Sequence, residues 1–297
     1  MRHRLLFVVL WFCGVGCAGT APLPRKALEL NRDGAAALAA GDLEQADARL
    51  SVALEYSPHF VEALVNLGLV ELERGNFQRA RQLFTRARRL NPDVAQPHHA
   101  LGVLAERERR ADRASEHYRQ ALHVDPGFAP SRANLGRLLF DAGHLEEARI
   151  TFQRLVEVAP GEPDGFLGLA EALIRLGRFG ESDAVAGHAR VNFPEHPGVQ
   201  LLIARSLLRS GRTEEAVSRL LSLVDRKDEF AAASFSWLAT AELVRGRPRH
   251  AVGAAEKALE LEPEQPVATR VLAEALSRLG DPSAAAWMDR AERVLGR

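Results

Sequence analysis

Prolines recur at positions 58, 92, 126, 160 and 194, four successive steps of 34 residues, and Pro263 follows after two periods plus one. A fixed spacing of this length restricts the chain to an array of like supersecondary units. Two series of small residues run in step with it. One is Gly34, Gly68, Gly102, Gly136, Ala170, Ala204, Ala239 and Ala273, and the other is Ala46, Ala80, Ala114, Ala148, Ser182, Ala216 and Ala251. Glycines at 41, 75, 143, 177, 211, 246 and 280 mark a further phase, which the third unit breaks with Arg109.

The stretch from 61 to 94 shows what one unit specifies. Ala63, Leu64, Leu67, Gly68 and Leu72 have the i, i+3, i+4 spacing of an amphipathic helix. Gly75 supplies a left-handed cap at little cost, so the helix ends there. A second helix places Ala80, Leu83, Phe84, Ala87 and Leu90 on one face, and Pro92 ends it. Small residues fall where two helices approach closely, and larger ones fill the gap to the next pair.

The spacing Leu67-Gly68, Gly75, Ala80, Phe84, Ala87, Pro92 resembles the tetratricopeptide repeat, as do Leu101-Gly102, Ala114, Tyr118, Ala121, Pro126 and Leu135-Gly136, Gly143, Ala148, Phe152, Pro160. The resemblance covers residues 27 to 297, with units starting near 27, 61, 95, 129, 163, 197, 232 and 266. It implies an all-α fold: a right-handed superhelical solenoid of about eight helix-turn-helix units. Departures from the family pattern are local. Leu30, Leu64, His98 and Phe166 stand where the family carries tryptophan. Asp228 replaces a terminal proline, one residue is inserted near Ala231, and the last unit is one residue short in its turn. That shortening predicts Ala284, Met288 and Ala291 as the packing residues of the last helix. Self-association through an exposed Trp287 or Met288 and solubilisation by the charges around them are the two readings of this end.

The N-terminal letters LLFVVLWFCGVGCAGTA, residues 5 to 21, admit two readings. Gly14-x-Gly16-x-x-Gly19 spells a dinucleotide-binding fingerprint, which needs a helix immediately after it. Pro22 and Pro24 oppose that helix, so no cofactor is expected. The export reading uses every letter: Arg2 and Arg4, an apolar run from Leu5 to Phe12, then small residues. Gly14-Val15-Gly16-Cys17 resembles the lipobox of bacterial lipoprotein precursors, although Gly14 stands where leucine is usual. The resemblance implies a signal peptide over 1–16, acylation of Cys17 and a tether over 17–26. Ala18 then favours the periplasmic face of the outer membrane. The alternative is an ordinary cleaved signal ending near Ala18 or Ala21, which leaves a soluble periplasmic or secreted module.

The two cysteines, Cys13 and Cys17, both lie in this leader, so the repeats can form neither a disulfide nor a cysteine metal site. Basic and acidic residues balance at 39 each; without Arg2 and Arg4 the basic count is 37. That balance argues against nucleic acid as a partner. No HExxH, GxSxG, phosphate-loop or EF-hand pattern occurs. His98 and His99 are chain neighbours and cannot readily share a metal. Catalytic residues, metal ligands and cofactors are therefore all expected to be absent.

In the resembling family the second, fifth, ninth, twelfth and thirteenth residues of each unit line the inner wall. Twelfth positions here read Leu38, Leu72, Glu106, Phe140, Ile174, Leu208, Leu243 and Ser277. Arg137, Arg175, Arg205 and Arg209 add cations, and His99 lies on the wall of the third unit. Asn66 and Asn134 stand at a place from which such repeats bond a peptide backbone. The resemblance thus implies a groove for a peptide with apolar anchors and an acidic group or free C-terminus. The alternative is that the leucines pack between helices and the arginines pair with Asp141, Glu171 or Asp164. The implied protein is a non-enzymatic, lipid-anchored adaptor, similar to repeat-bearing lipoproteins that assist pilus secretin assembly or scaffold cell-wall enzymes. A chaperone-like factor is the other class.

Overall fold

The computed structural model describes residues 22–226 and 228–295. The signal peptide expected over 1–16 and the acylation point Cys17 lie outside these residues. The described residues form sixteen α-helices and no strand, in two units that divide between Val158 and Ala159.

The first unit holds α1 (Arg25–Ala39), α2 (Leu43–Tyr56), α3 (Val61–Glu73), α4 (Phe77–Leu90), α5 (Ala95–Arg107), α6 (Ala111–Val124), α7 (Ala129–Asp141) and α8 (Leu145–Val158). Each odd helix packs against the even helix that follows it. Helices α2, α4 and α6 also pack against α3, α5 and α7, so neighbouring hairpins share their apolar faces. The helices can approach because small residues meet rings. A Cβ at Gly68 would lie 2.3 Å from Phe84 Cε1, and one at Gly102 would lie 2.5 Å from Tyr118 Cε1. Phe84 and Tyr118 are fully buried, each contributing about 1.5–3 kcal/mol.

The hairpin turns are set by one residue each. After α3, Gly75 takes φ +79°, its N–H donates to the Leu72 carbonyl and the Asn76 N–H donates to that of Glu71. These are the two bonds of a Schellman cap. After α5 the same pair of bonds forms from Arg109 and Arg110, with Arg109 at φ +59°. Arg109 is the one residue other than glycine with positive φ among the described residues, a conformation that costs an L-residue about 1 kcal/mol or more.

The second unit holds α9 (Pro163–Arg175), α10 (Phe179–Asn192), α11 (Pro197–Arg209), α12 (Thr213–Val224), α13 (Ala231–Val244), α14 (Pro248–Leu261), α15 (Pro266–Leu279) and α16 (Ala284–Leu295). Where the sixth repeat lacks its proline, Asp228 organises the connection. Its carboxylate accepts from the Phe230 N–H at 3.0 Å and from Arg226 Nε at 2.7 Å.

Three details differ from the sequence expectation. Helix α1 starts at Arg25, inside the span assigned to the tether. Leu90, expected on a buried face, is 38% exposed, because it is the last helical residue of α4 and the chain turns away there. Met288 is 47% exposed, and Trp287 packs in its place beside Ala284 and above the buried Ala291. The helix begins at Ala284, so its inward face follows 284, 287 and 291.

Candidate protein-binding site

In the first unit, the wall formed by α1, α3, α5 and α7 carries polar side chains that already bond one another. Asn66 Nδ2 donates to Asn31 Oδ1 at 2.9 Å. Arg107 pairs with Glu73 at 2.7 Å, linking residues one repeat apart. Glu106 is the centre of a larger cluster. Tyr118 Oη donates to Glu106 Oε1 at 2.7 Å, and Arg137 pairs with the other carboxylate oxygen. Asn134 Nδ2 in turn donates to Tyr118 Oη at 3.1 Å, and Arg137 reaches Asp141 at 3.3 Å. Burial and the neighbouring Glu106 carboxylate push the Tyr118 hydroxyl above its ordinary range, so it stays protonated and donates.

His99 lies beside this cluster. Its Nδ1 is 3.0 Å from Ser131 Oγ, and its ring centroid is 5.5 Å from those of both Tyr118 and Phe128. Burial depresses its pKa to about 4, so the imidazole is neutral near pH 7. Phe140 is half-buried at the C-terminal end of α7.

In the second unit, Arg205 on α11 donates through NH1 to Glu171 Oε2 at 2.6 Å, and its guanidinium carbon lies 4.8 Å from the centre of a Trp237 ring. Arg209 pairs with Asp183 and lies 5.5 Å from the Phe179 ring centroid. Ile174 and Leu208 are half-buried, and Arg175 is exposed. Leu208 packs on the buried cluster that includes Leu201 and Leu238.

The twelfth-position residues therefore do not form a continuous apolar ribbon. Leu38, Leu72 and Leu243 are buried in the helix packing, Glu106 is tied into its polar cluster, and Ser277 is exposed. Phe140, in the first unit, and Ile174 and Leu208, in the second, are half-buried. Of the expected arginines, Arg137 and Arg205 each pair with a carboxylate considered from sequence, Asp141 and Glu171. Arg209 takes Asp183, which sequence reading missed. The hydrogen-bonding role of Tyr118 and the parts of Ser131 and Trp237 were also missed. A tyrosine where units two and four carry Phe84 and Phe152 was the available signal for a hydroxyl with a partner.

Among the described residues, no group of three or more His, Cys, Asp or Glu side chains is placed to hold a metal ion. No described helix is long and apolar enough to cross a membrane.

A stack of αα-hairpins of one period, with small residues against rings, defines a helical-repeat protein. The tetratricopeptide-repeat profile matches residues 37–104, 105–166, 167–232 and 238–294. The chain belongs to the tetratricopeptide-repeat family, whose members are generally non-enzymatic scaffolds that bind proteins or peptides. Solved structures share the fold. A tetratricopeptide repeat protein from Parabacteroides merdae is 19% identical over 85% of this chain and all of its own, with a TM-score of 0.58. Pseudomonas aeruginosa pilF is 22% identical over 72% of this chain and 97% of its own, at 0.60. The Cut9–Hcn1 hetero-tetramer of the APC/C contains a chain 15% identical over 89% of this one and 54% of its own, at 0.66. No curated protein sequence matches the chain.

Proposed function

We propose that this chain is an exported, lipid-anchored adaptor that binds a protein partner and assists assembly of a cell-envelope complex, without catalysis of its own. The observation that carries the binding role is the α9–α11 surface of the second unit, where half-buried Ile174 and Leu208 stand beside Arg175, Arg205 and Arg209. Apolar anchors with guanidinium neighbours suit a peptide that presents apolar side chains and a carboxylate. The export and anchoring roles rest on the N-terminal letters, with Cys17 as the acylated residue.

Reversing Arg175→Glu and Arg205→Glu together should abolish capture of the native partner in crosslinking from intact cells. Undiminished capture overturns the site. Mass analysis of the mature N-terminus tests the anchor separately: a diacylglyceryl-modified Cys17 supports it, and an unmodified chain starting near residue 19 or 22 replaces it with a soluble periplasmic or secreted module.

A further inference from the structure

Two places on the chain occupy the same repeat position and carry opposite charge. Helix α4 contains Arg79, Arg81, Arg86, Arg88 and Arg89 and no acidic residue. Arg81, Arg86, Arg89 and Leu90 line one shallow depression along its exposed side. Arg81 is held by Glu108, and Arg86 donates to the Pro58 carbonyl at 2.7 Å. Arg88 and Arg89 meet no carboxylate among the described residues.

Helix α14 ends in the corresponding way with the sign reversed. Leu261 is the counterpart of Leu90 and Glu260 that of Arg89, and both leucines are exposed. Glu256, Glu260 and Glu262 are exposed and meet no cation at ion-pair distance among the described residues. Two nearby cations, Lys257 and Arg290, are turned elsewhere. Lys257 lies 5.6 Å from the Phe235 ring centroid, and Arg290 donates to the Pro263 carbonyl at 2.7 Å. Carboxylates at the C-terminal end of a helix face the negative pole of its dipole, whereas arginines at the end of α4 are favoured there. The α14 end therefore carries an uncompensated negative field, whereas at the α4 end Arg88 and Arg89, without a carboxylate partner, leave more positive charge than the helix dipole of about half an elementary charge offsets.

We infer that the α4 corner of one copy docks on the α14 corner of a second copy. Leu90 and Leu261 form the apolar centre. Around them Arg86 and Arg89 of one copy pair with Glu256 and Glu260 of the other. Two reciprocal contacts close a dimer, and a contact that does not close propagates an open chain.

Sedimentation of the full chain carrying Cys17→Ser, so that no acyl group drives association, tests this. Association should appear at low ionic strength and weaken as salt rises. Arg86→Glu with Arg89→Glu should weaken it about tenfold or more, and Glu256→Arg with Glu260→Arg should do the same. Mixing the two reversed proteins should restore it, and so should all four changes in one chain, which also shows that the reversed proteins fold. A wild-type chain that stays monomeric at low salt overturns the inference, as does association that neither reversal alters. So does loss on arginine reversal that mixing does not restore; anionic vesicles or an acidic peptide bound by wild type alone would then be the occupant of α4.

Discussion

Replacing Gly68 by alanine tests the claim that small residues are required where α3 meets α4. Two effects oppose each other. In a helix interior, alanine is favoured over glycine by about 1 kcal/mol. The added Cβ, however, would lie 2.3 Å from Cε1 and 2.7 Å from Cδ1 of Phe84. Carbon atoms pack best at about 3.5–4.0 Å, so the ring must retreat by more than an ångström. Phe84 is fully buried and has no open side to retreat into. Overpacking of a tight core costs about 1–3 kcal/mol, and this clash belongs at the upper end, for a net loss of about 1–2 kcal/mol. Gly253 is the internal control: it lies mid-helix in α14, and a Cβ there meets nothing within 4 Å. Gly253→Ala should therefore gain about 1 kcal/mol. In thermal unfolding the two substitutions should shift Tm in opposite directions, by about 2–4 °C per kcal/mol for a chain of this size. A Gly68→Ala/Phe84→Leu protein should lose less than the sum of the single changes. A Tm that rises for Gly68→Ala as it does for Gly253→Ala would refute the packing argument.

Arg109→Gly should stabilise the α5–α6 turn, because the relief of left-handed strain exceeds the extra entropy glycine loses on folding; about 0.5–1 kcal/mol is expected in urea unfolding. His99 is neutral when folded, with its pKa depressed to about 4 by burial. The unfolded chain takes up that proton from about pH 6.5 downward, so stability should fall between about pH 6.5 and 4 and then level off. His99→Gln should reduce that slope and leave the part due to His98 and His117, which burial also lowers. In partner binding measured by titration calorimetry, Leu208→Ala should weaken affinity more than Arg205→Gln does; the reverse order would remove the apolar-anchor reading.

The period of 34 made the helical pairs legible from the letters alone, since proline, glycine and the small residues each mark a different phase of it. The same period also contains the ladder of ion pairs. Glu73 and Arg107, like Glu171 and Arg205, are one repeat apart, so equal positions on successive first helices face each other. Arg209 with Asp183 is not legible this way, because the partners lie on helices of different type and the spacing of 26 belongs to no series. Met288 was misplaced because the turn of this unit departs from the period, and one residue there moves the inward face from Met288 to Trp287. The export reading rests on the N-terminal letters, a basic start, an apolar run and small residues, and owes nothing to the repeat period.

The pairing of the arginines changes how the proposed α9–α11 site can act. Arg205 is not a bare cation awaiting an acidic ligand, because Glu171 and the Trp237 ring already hold it in place. A ligand carboxylate must exchange with Glu171 or join it. Exchange is cheap, since a partly exposed pair is worth about 0–1 kcal/mol, but for the same reason the new pair adds little net affinity. What the arrangement supplies is orientation. A guanidinium fixed against an indole offers its remaining N–H groups in one direction, and its planar fork accepts a carboxylate in one geometry. In the proposed site affinity then has to come from apolar surface that becomes buried, and Ile174 and Leu208, like Trp237 beside Arg205, are half-buried residues that still have area to lose. In the proposed site, selection by charge and retention by burial thus fall on different residues.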